Sequence, residues 1–403
     1  MLPKQPNTRF LTAFLLAAAL PIPVSGLGIR IADQDPAATA RGNAFAATAD
    51  NPSAIYYNPA GITQLDGHSI RAGIYGISLS SDYEGNGTSF DTKDEVLAVP
   101  QLYYTYTPGN HPFSFGLGLY SPYGLGLEWP EDASFRSSSI EGRLTYLSLN
   151  PVVAWRVHPT FSVAAGPHVN YADVKLRQGT PFNVPGDKFE FEGDDVALGF
   201  NLGVLWQPHP MHSFGITYRS ATTMDFDGHS EVVIPPVFSS RESARTRDFD
   251  IPQHVVVGYS FRPTPRWNLE INVDWTDWDA LNTVTLNQES SDDIALPFNW
   301  ESSFFYEFGA TRYFNNGYHL SAGYIFSENS VPEEYFTPTV PDSDRHIFSL
   351  GGGARYDRWH WDAAYQLAYG PERTIDHPNV PPAVQGRYEF ISHALTASIG
   401  YRF

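Results

Sequence analysis

The chain has no cysteine among its 403 residues, only three methionines, and 17% charged residues. Without cysteine there is no disulfide framework, no thiol nucleophile and no Cys-based metal site. Basic residues are also scarce, 25 against 44 acidic, for a net charge of −19, so a nucleic-acid partner is excluded by the sign of the charge. Past the first 25 residues or so, no apolar run approaches the roughly 18 residues a membrane helix needs. Any membrane-spanning form must therefore be a closed barrel. What the chain does have is 33 Gly, 32 Pro, 23 Tyr and 27 Phe, material for strands and turns rather than helical bundles.

Lys4 and Arg9 precede the apolar run Phe10 to Leu20, Pro21-Ile22-Pro23 breaks it, and Val24-Ser25-Gly26 supplies small residues. Basic, apolar, then small is the order of a secretory signal, so residues 1–26 are read as an export signal with the mature start near Leu27. Without Lys4 and Arg9 the mature chain carries 23 basic and 44 acidic residues, a net charge of −21.

Residues 27–66 are the only mature stretch without alternation; they are rich in Ala, Asn and Pro, with a short helix expected around 37–49. From 67 to 403 the pattern is strand and turn throughout, read as one domain. Fourteen strands are expected, near 68–80, 95–107, 112–127, 138–157, 160–177, 189–207, 211–226, 252–262, 265–286, 299–314, 317–328, 343–356, 358–371 and 388–403. The period of two is clean. Trp267, Leu269, Ile271, Val273 and Trp275 face one way and Asn268, Glu270, Asn272 and Asp274 the other.

Three features favour a membrane barrel. The strands run about ten residues or longer, as a tilted membrane strand must, where globular strands average about five or six. Aromatics (Trp155, Trp206, Tyr218, Trp267, Trp275, Trp278, Trp359, Trp361 and Tyr369) gather at the ends of the apolar faces, suiting the headgroup level. Short turns, such as Asn315-Asn316-Gly317 and Asp357-Arg358, alternate with long segments at 81–94, 227–250, 287–298, 329–342 and 372–387. That asymmetry is typical of outer-membrane barrels, and an even strand count leaves both chain ends on the periplasmic rim. The last strand carries Ile391, Leu395, Ala397, Ile399, Tyr401 and the terminal Phe403 in one stripe. It resembles the signal read by the barrel assembly machinery of Gram-negative bacteria, which is therefore an expected partner together with outer-membrane lipid.

The fold class is thus an all-β, transmembrane antiparallel barrel of fourteen strands. Its apolar stripes face lipid, and the lumen takes Asn268, Glu270, Asn272, Asp274, Arg156, Arg219, Arg312 and Arg355. Arg at the lipid midplane would cost about 2–4 kcal/mol. Side chains alone do not fill so wide a barrel, and residues 27–66, having no strand of their own, are the plug. Catalysis finds no support. The thirteen His are scattered, there is no Gly-x-Ser-x-Gly elbow, and His209 and His212 merely flank a turn. No catalytic residue, metal site or cofactor is assigned.

The N-terminal segment Ala40-Arg41-Gly42-Asn43-Ala44-Phe45, then Ala49-Asp50-Asn51-Pro52 and Asn58-Pro59-Ala60-Gly61, resembles the hatch of FadL-type transporters of long-chain fatty acids and aromatic hydrocarbons, with its Asn-Pro-Ala motif. Tyr123-Gly124-Leu125, Thr217-Tyr218-Arg219-Ser220, Trp275-Thr276-Asp277-Trp278 and Pro341-Asp342-Ser343-Asp344-Arg345 resemble further blocks of that family in the same order. The resemblance implies capture of a hydrophobic molecule at the outer loops, a lumen pocket, release by hatch movement, and sideways exit beside an inward-kinked third strand. Gly116, Gly118, Tyr123 and Gly124 would form that kink and gate, and Asn58, Pro59 and Ala60 the hatch motif. Lys175 and Arg177 are candidates for contact with a carboxylate at the pocket's outer end. One departure stands out: where the best-known members carry a long helical insertion between the fifth and sixth strands, only about Arg177 to Lys188 connects them here. External capture would then fall to the 227–250 loop. A general diffusion porin is the alternative, and an adhesin or phage receptor a third class. A monomer is expected.

Overall fold

The computed structural model describes residues 29–93, 95–109 and 111–403; the export signal read at 1–26 lies outside the described residues. Fourteen antiparallel staves follow in chain order. They are β1 (Gly67–Gly85), β2 (Glu95–Thr107), β3 (Phe113–Tyr120 and Gly124–Glu128), β4 (Glu141–His158), β5 (Phe161–Gln178) and β6 (Lys188–His209). Next come β7 (His212–Arg219 and Asp227–Ile234), β8 (Phe238–Arg247 and His254–Thr264), β9 (Trp267–Thr276 and Thr283–Gln288) and β10 (Ile294–Pro297 and Ser303–Tyr313). The last four are β11 (Tyr318–Ser327), β12 (Arg345–Tyr356), β13 (Trp359–Ile375) and β14 (Gly386–Arg402). Each pairs with its neighbour, and β14 closes on β1 from Ser69↔Arg402 to Glu84↔Arg387. Closure leaves no sheet edge for lipid to meet.

The alternation places its faces as the sequence predicts, in reverse of a soluble protein. On β9, Asn268, Glu270, Asn272 and Asp274 are buried, while Trp267, Ile271 and Val273 are exposed to the lipid side. On β6, Leu198 and Phe200 are exposed while Asn201 is buried. Two placements differ. Directly opposed residues of an antiparallel pair share a face, and Arg312 opposes the outward Trp267, so its guanidinium lies 4.8 Å from that ring on the outer surface instead of in the lumen. It sits at the short-turn rim, where a headgroup-level charge is tolerated. Trp278 is no girdle residue either: β9 breaks at Asp277, a single 3-10 turn carries Trp278–Ala280, and the indole is fully buried against Trp300.

The long segments are more regular than expected. Most of 227–250 is the upper hairpin of β7 and β8, paired from Asp227↔Arg245 to Ile234↔Phe238, and Thr88–Asp91 pairs back on the top of β1. The wall thus continues beyond the apolar band. The connection from β5 to β6 is a short turn-rich loop, as read from the sequence. It is pinned by Asp187, which accepts from Arg136, Thr180 and the Val184 amide.

Residues 29–66 contribute no stave and lie inside the barrel. The helix expected around 37–49 is only α1 (Pro36–Thr39), capped by Asp35; α2 (Ala54–Tyr57) and a 3-10 helix (Pro59–Gln64) follow. So short a segment, rich in Ala, has few large side chains, and the wall meets it with glycines. A Cβ on Gly215 would stand 2.1 Å from the Ala46 carbonyl oxygen, and one on Gly323 2.0 Å from the Gly42 nitrogen. Ordinary van der Waals contact is about 3.5–4.0 Å, so only glycine permits this approach.

Candidate functional site

The third stave is where the cylinder is incomplete. Below, Leu102–Tyr106 of β2 pair with Leu119–Phe115 of β3. Above, Gly124–Glu128 pair only with β4, and Glu95–Gln101 pair only with β1. Between those two edges the ladder is missing. The opening is closed at its top by Lys93, whose backbone N–H donates to the Glu128 carbonyl (2.8 Å) and whose ammonium pairs with its carboxylate (2.7 Å). The Leu97 side chain lies across the opening, 2.6 Å from where a Cβ on Gly126 would be.

The backbone freed by the break is recovered by residues 29–34. The Ile31 N–H donates to Pro122 O (2.9 Å) and the Gly124 N–H to Ile29 O (3.0 Å), a one-residue bridge centred on Arg30 and Tyr123. The Gln34 amide donates to Ser121 O (2.8 Å) and accepts from the Ser121 N–H (3.2 Å). Buried backbone groups need such partners. Tyr123 turns inward, its ring against Tyr146 and Trp278 and its hydroxyl reaching Pro252 O.

Beside this break lies a cavity of about 480 Å³. Ile31, Leu79, Leu97, Leu125, Leu127 and Phe390 give it an apolar lining, and Tyr171, an outward residue of β5, also borders it. The cavity therefore reaches the outer face of the wall through the missing ladder. Its size falls within the roughly 300–1,000 Å³ of small-molecule pockets. Arg30, Arg143 and Arg345 are the cations at its border.

Below the cavity the same N-terminal segment is tied to the wall by buried polar pairs. Arg30 makes a two-pronged pair with Asp274 (2.8 and 2.7 Å) and donates to Thr276 (2.7 Å). Arg71 on β1 joins Asp35 to Asp362 of β13, and His319 Nε2 lies 2.8 Å from the same Asp362. Glu270 accepts from the Ala47 N–H (2.8 Å), from Thr48 and from Arg41. Arg219 stacks between Tyr56 and Tyr120, at 5.4 and 5.3 Å. These partners come from opposite sides of the barrel, so the segment spans the lumen.

The residues singled out in the sequence fall in different places. Asn58 caps the 3-10 helix at the Ala60 N–H (3.2 Å) and donates to Ala46 O and Val204 O, tying the Asn-Pro-Ala turn to β6. Pro59 and Ala60 are buried beside it, Pro59 over Gly203. Gly116 and Gly118 stand below the break, against Ile55 of α2; Tyr123 and Gly124 form its upper edge. Lys175 and Arg177 do not border the cavity. They share the outer face with Tyr171, and their charges are taken by the chain's own acids: Arg177 by Glu128, Glu131 and Glu141, Lys175 by Glu141, Glu190 and Glu192. The reason is the period of two: counting down β5 from 177 to 171 in steps of two keeps to the outside. Sequence reading missed Arg30 and Arg71, whose partners Asp274 and Asp362 lie hundreds of positions away. Among the described residues no cluster of His, Asp and Glu is arranged to hold a metal ion.

A fourteen-stave barrel with an apolar outer band is an integral outer-membrane β-barrel. Residues 19–403 match the family described as outer membrane protein transport protein (OMPP1/FadL/TodX), and the chain belongs to it: an outer-membrane channel for uptake of hydrophobic molecules. Among its relatives, the long-chain fatty acid transport protein of Escherichia coli O6:H1 is 23% identical over 76% of this chain and 78% of that protein. The 47 kDa outer membrane protein of Pasteurella multocida is 25% identical, covering 93% and 95%. In fold, a Pseudomonas aeruginosa FadL homologue superposes with a TM-score of 0.83 at 18% identity, covering 94% of this chain and 100% of the other. The Pseudomonas putida toluene transporter TodX gives 0.76 at 16%, covering 94% and 99%. The porin alternative gives way to this assignment.

Proposed function

We propose that this chain carries a hydrophobic small molecule passively, from the outer loops into the 480 Å³ cavity and then sideways through the gap beside β3 into the membrane. One observation carries the reading: the apolar cavity and the missing ladder are the same place. Moving an apolar chain through a water-filled pore would expose it at about 0.8 kcal/mol per CH₂, and a lateral route avoids that exposure. Residues 29–66 serve as the hatch, since they bridge the lumen and also hold the kink at Pro122 and Gly124. Capture falls to the neighbouring tips of the β5–β6 and β7–β8 loops, where Phe182, Val237 and Phe238 are exposed. The cargo class follows relatives named for long-chain fatty acids and toluene. No catalytic step is assigned. The protein acts as a monomer and is assembled through β14 and its terminal Phe403.

A cross-link across the gap tests the route. The chain has no native cysteine, so Leu97→Cys with Gly126→Cys gives a unique thiol pair at the opening. Bridging it with a short bis-maleimide should stop uptake of a labelled hydrophobic molecule by intact cells, while binding to the purified protein persists. Undiminished uptake through a bridged gap would remove the lateral route.

A further inference from the structure

The two ends of the wall treat their cations differently. At the long-loop end Lys175, Arg177, Lys188, Arg245 and Arg387 are each paired with a carboxylate of the chain itself. The short-turn end is built the other way. The short turns between staves hold a single acid, Asp357, and it stands next to Arg358. Arg266 and Arg312 have no such neighbour.

Arg266 closes the turn from β8 to β9, and its carbonyl accepts from the Tyr313 N–H of β10 (2.8 Å), which sets it beside Arg312. Arg312 faces outward, opposite Trp267 on β9 and Leu320 on β11, both exposed. Its guanidinium lies 4.8 Å from the Trp267 ring and 6.0 Å from that of Phe314. Among the described residues, Arg266 is bonded through its backbone alone, and Arg312 meets these two rings but no carboxylate. Ring contact fixes a guanidinium without using its N–H donors, so the planar fork remains for an anion.

We propose that Arg266 and Arg312, with Trp267 and Phe314, form a docking site for the phosphate of an anionic glycerophospholipid in the leaflet at the short-turn rim. Indole rings sit at headgroup level, and the exposed Ile271 and Val273 continue from Trp267 along the lipid face, where an acyl chain lies. A phosphate there meets two guanidinium groups that the chain itself leaves uncompensated. A zwitterionic headgroup brings its own ammonium to its phosphate and gains less. The chain carries a net charge of −19, so attraction of an anionic lipid is a property of this patch and not of the protein as a whole. In the closed order of fourteen staves β10 lies opposite β3, so the site stands across the barrel from the gap and is independent of how the cavity is read.

Native mass spectrometry of the purified protein, given equal amounts of phosphatidylglycerol and phosphatidylethanolamine with the same acyl chains, tests the site. A basic side chain near an anionic lipid surface is worth about fivefold in binding. The wild type should therefore retain phosphatidylglycerol over phosphatidylethanolamine by about fivefold or more at low ionic strength, and added salt should narrow the margin. Arg266→Gln with Arg312→Gln should abolish the preference while phosphatidylethanolamine is still retained. Arg245→Gln with Arg387→Gln removes as much positive charge at the long-loop end and should leave the preference intact. Equal retention of both lipids by the wild type, which needs no variant, overturns the proposal. So does a preference that survives the rim pair, or one lost equally with the long-loop pair.

Discussion

In the half of the lumen nearer the short turns, the hatch meets the wall through polar side chains and glycines; in the half nearer the long loops, an apolar cavity faces a break in the ladder. The lower half is dense in polar contacts, with Thr63 on Ser162, Asn58 on Val204 O, Ser213 on Ala47 O and Glu270 on three groups of the N-terminal segment. The upper half is loose and partly open. The difference sets a segment fixed to the wall below against an open space above it. Its contacts below are specific hydrogen bonds and ion pairs, which hold geometry, while the space above is left for a guest. Removing the lower contacts should open the barrel to ions, whereas altering the upper ones should change only what the cavity accepts.

The largest effect is expected from deleting residues 29–45. That removes Arg30, Asp33, Asp35 and Arg41, and with them the ties to β1, β9 and β13. Apart from the one-residue bridge at Arg30 and Tyr123 the staves pair with one another, so the barrel should still fold, as judged by far-ultraviolet circular dichroism. Planar-bilayer recording should then turn from near silence to a steady open-pore current. A deleted barrel that stays silent would mean that something other than these residues closes the lumen.

A smaller effect, on stability, is expected at Arg71. Replacing it with Met leaves Asp35 and Asp362 buried without their shared cation. Breaking a buried pair by removing one partner costs about 3–5 kcal/mol. Urea unfolding in lipid vesicles should show a loss of that size, and the double change with Asp35→Asn should recover part of it. A loss below about 1 kcal/mol, the range of an exposed pair, would show that the lower half is not the dry polar seal described.

How far this was legible in the sequence depends on where the coding partner lies. On a stave, residues two apart share a face, so a run such as Asn268 to Asp274 declares its inner side without any knowledge of neighbours. That is why the fourteen staves and their order could be read, and why failures came where a strand is interrupted: at Trp278, just past the break in β9, and at Arg312, at the rim where a charge can sit outside. The hatch offers no such period. Its fit is written in wall residues far along the chain, Gly215 for Ala46 and Gly323 for Gly42, and in Asp274 for Arg30. The shortage of side chains around Gly116 to Gly126 hinted at a weak ladder, but not that Ile29 to Gln34 would supply its missing hydrogen bonds.

The smallest effect sharpens the comparison on the outer side. The 327–345 segment supplies Val340, Pro341 and Arg345 to the cavity and is laced to β13 by Arg373, which donates to Asn329 Oδ1, Val331 O and Asp342 O (2.7 Å each). Within it, burial and then the neighbouring Asp342 push the Asp344 carboxyl up to about 7, against the pull of Arg373. An unfolded Asp titrates near about 3.9, so between about pH 4 and 7 the folded segment holds more protons than the unfolded one. Its stability therefore falls as pH rises through that window and levels off above it. Amide exchange of Asn329 to Asp344 should accelerate from pH 5 to 8 beyond the intrinsic rate change, and Asp344→Asn should flatten that excess while leaving the exchange of residues 41–64 untouched. Equal pH response in the variant and the wild type would assign the looseness of the outer half to packing alone.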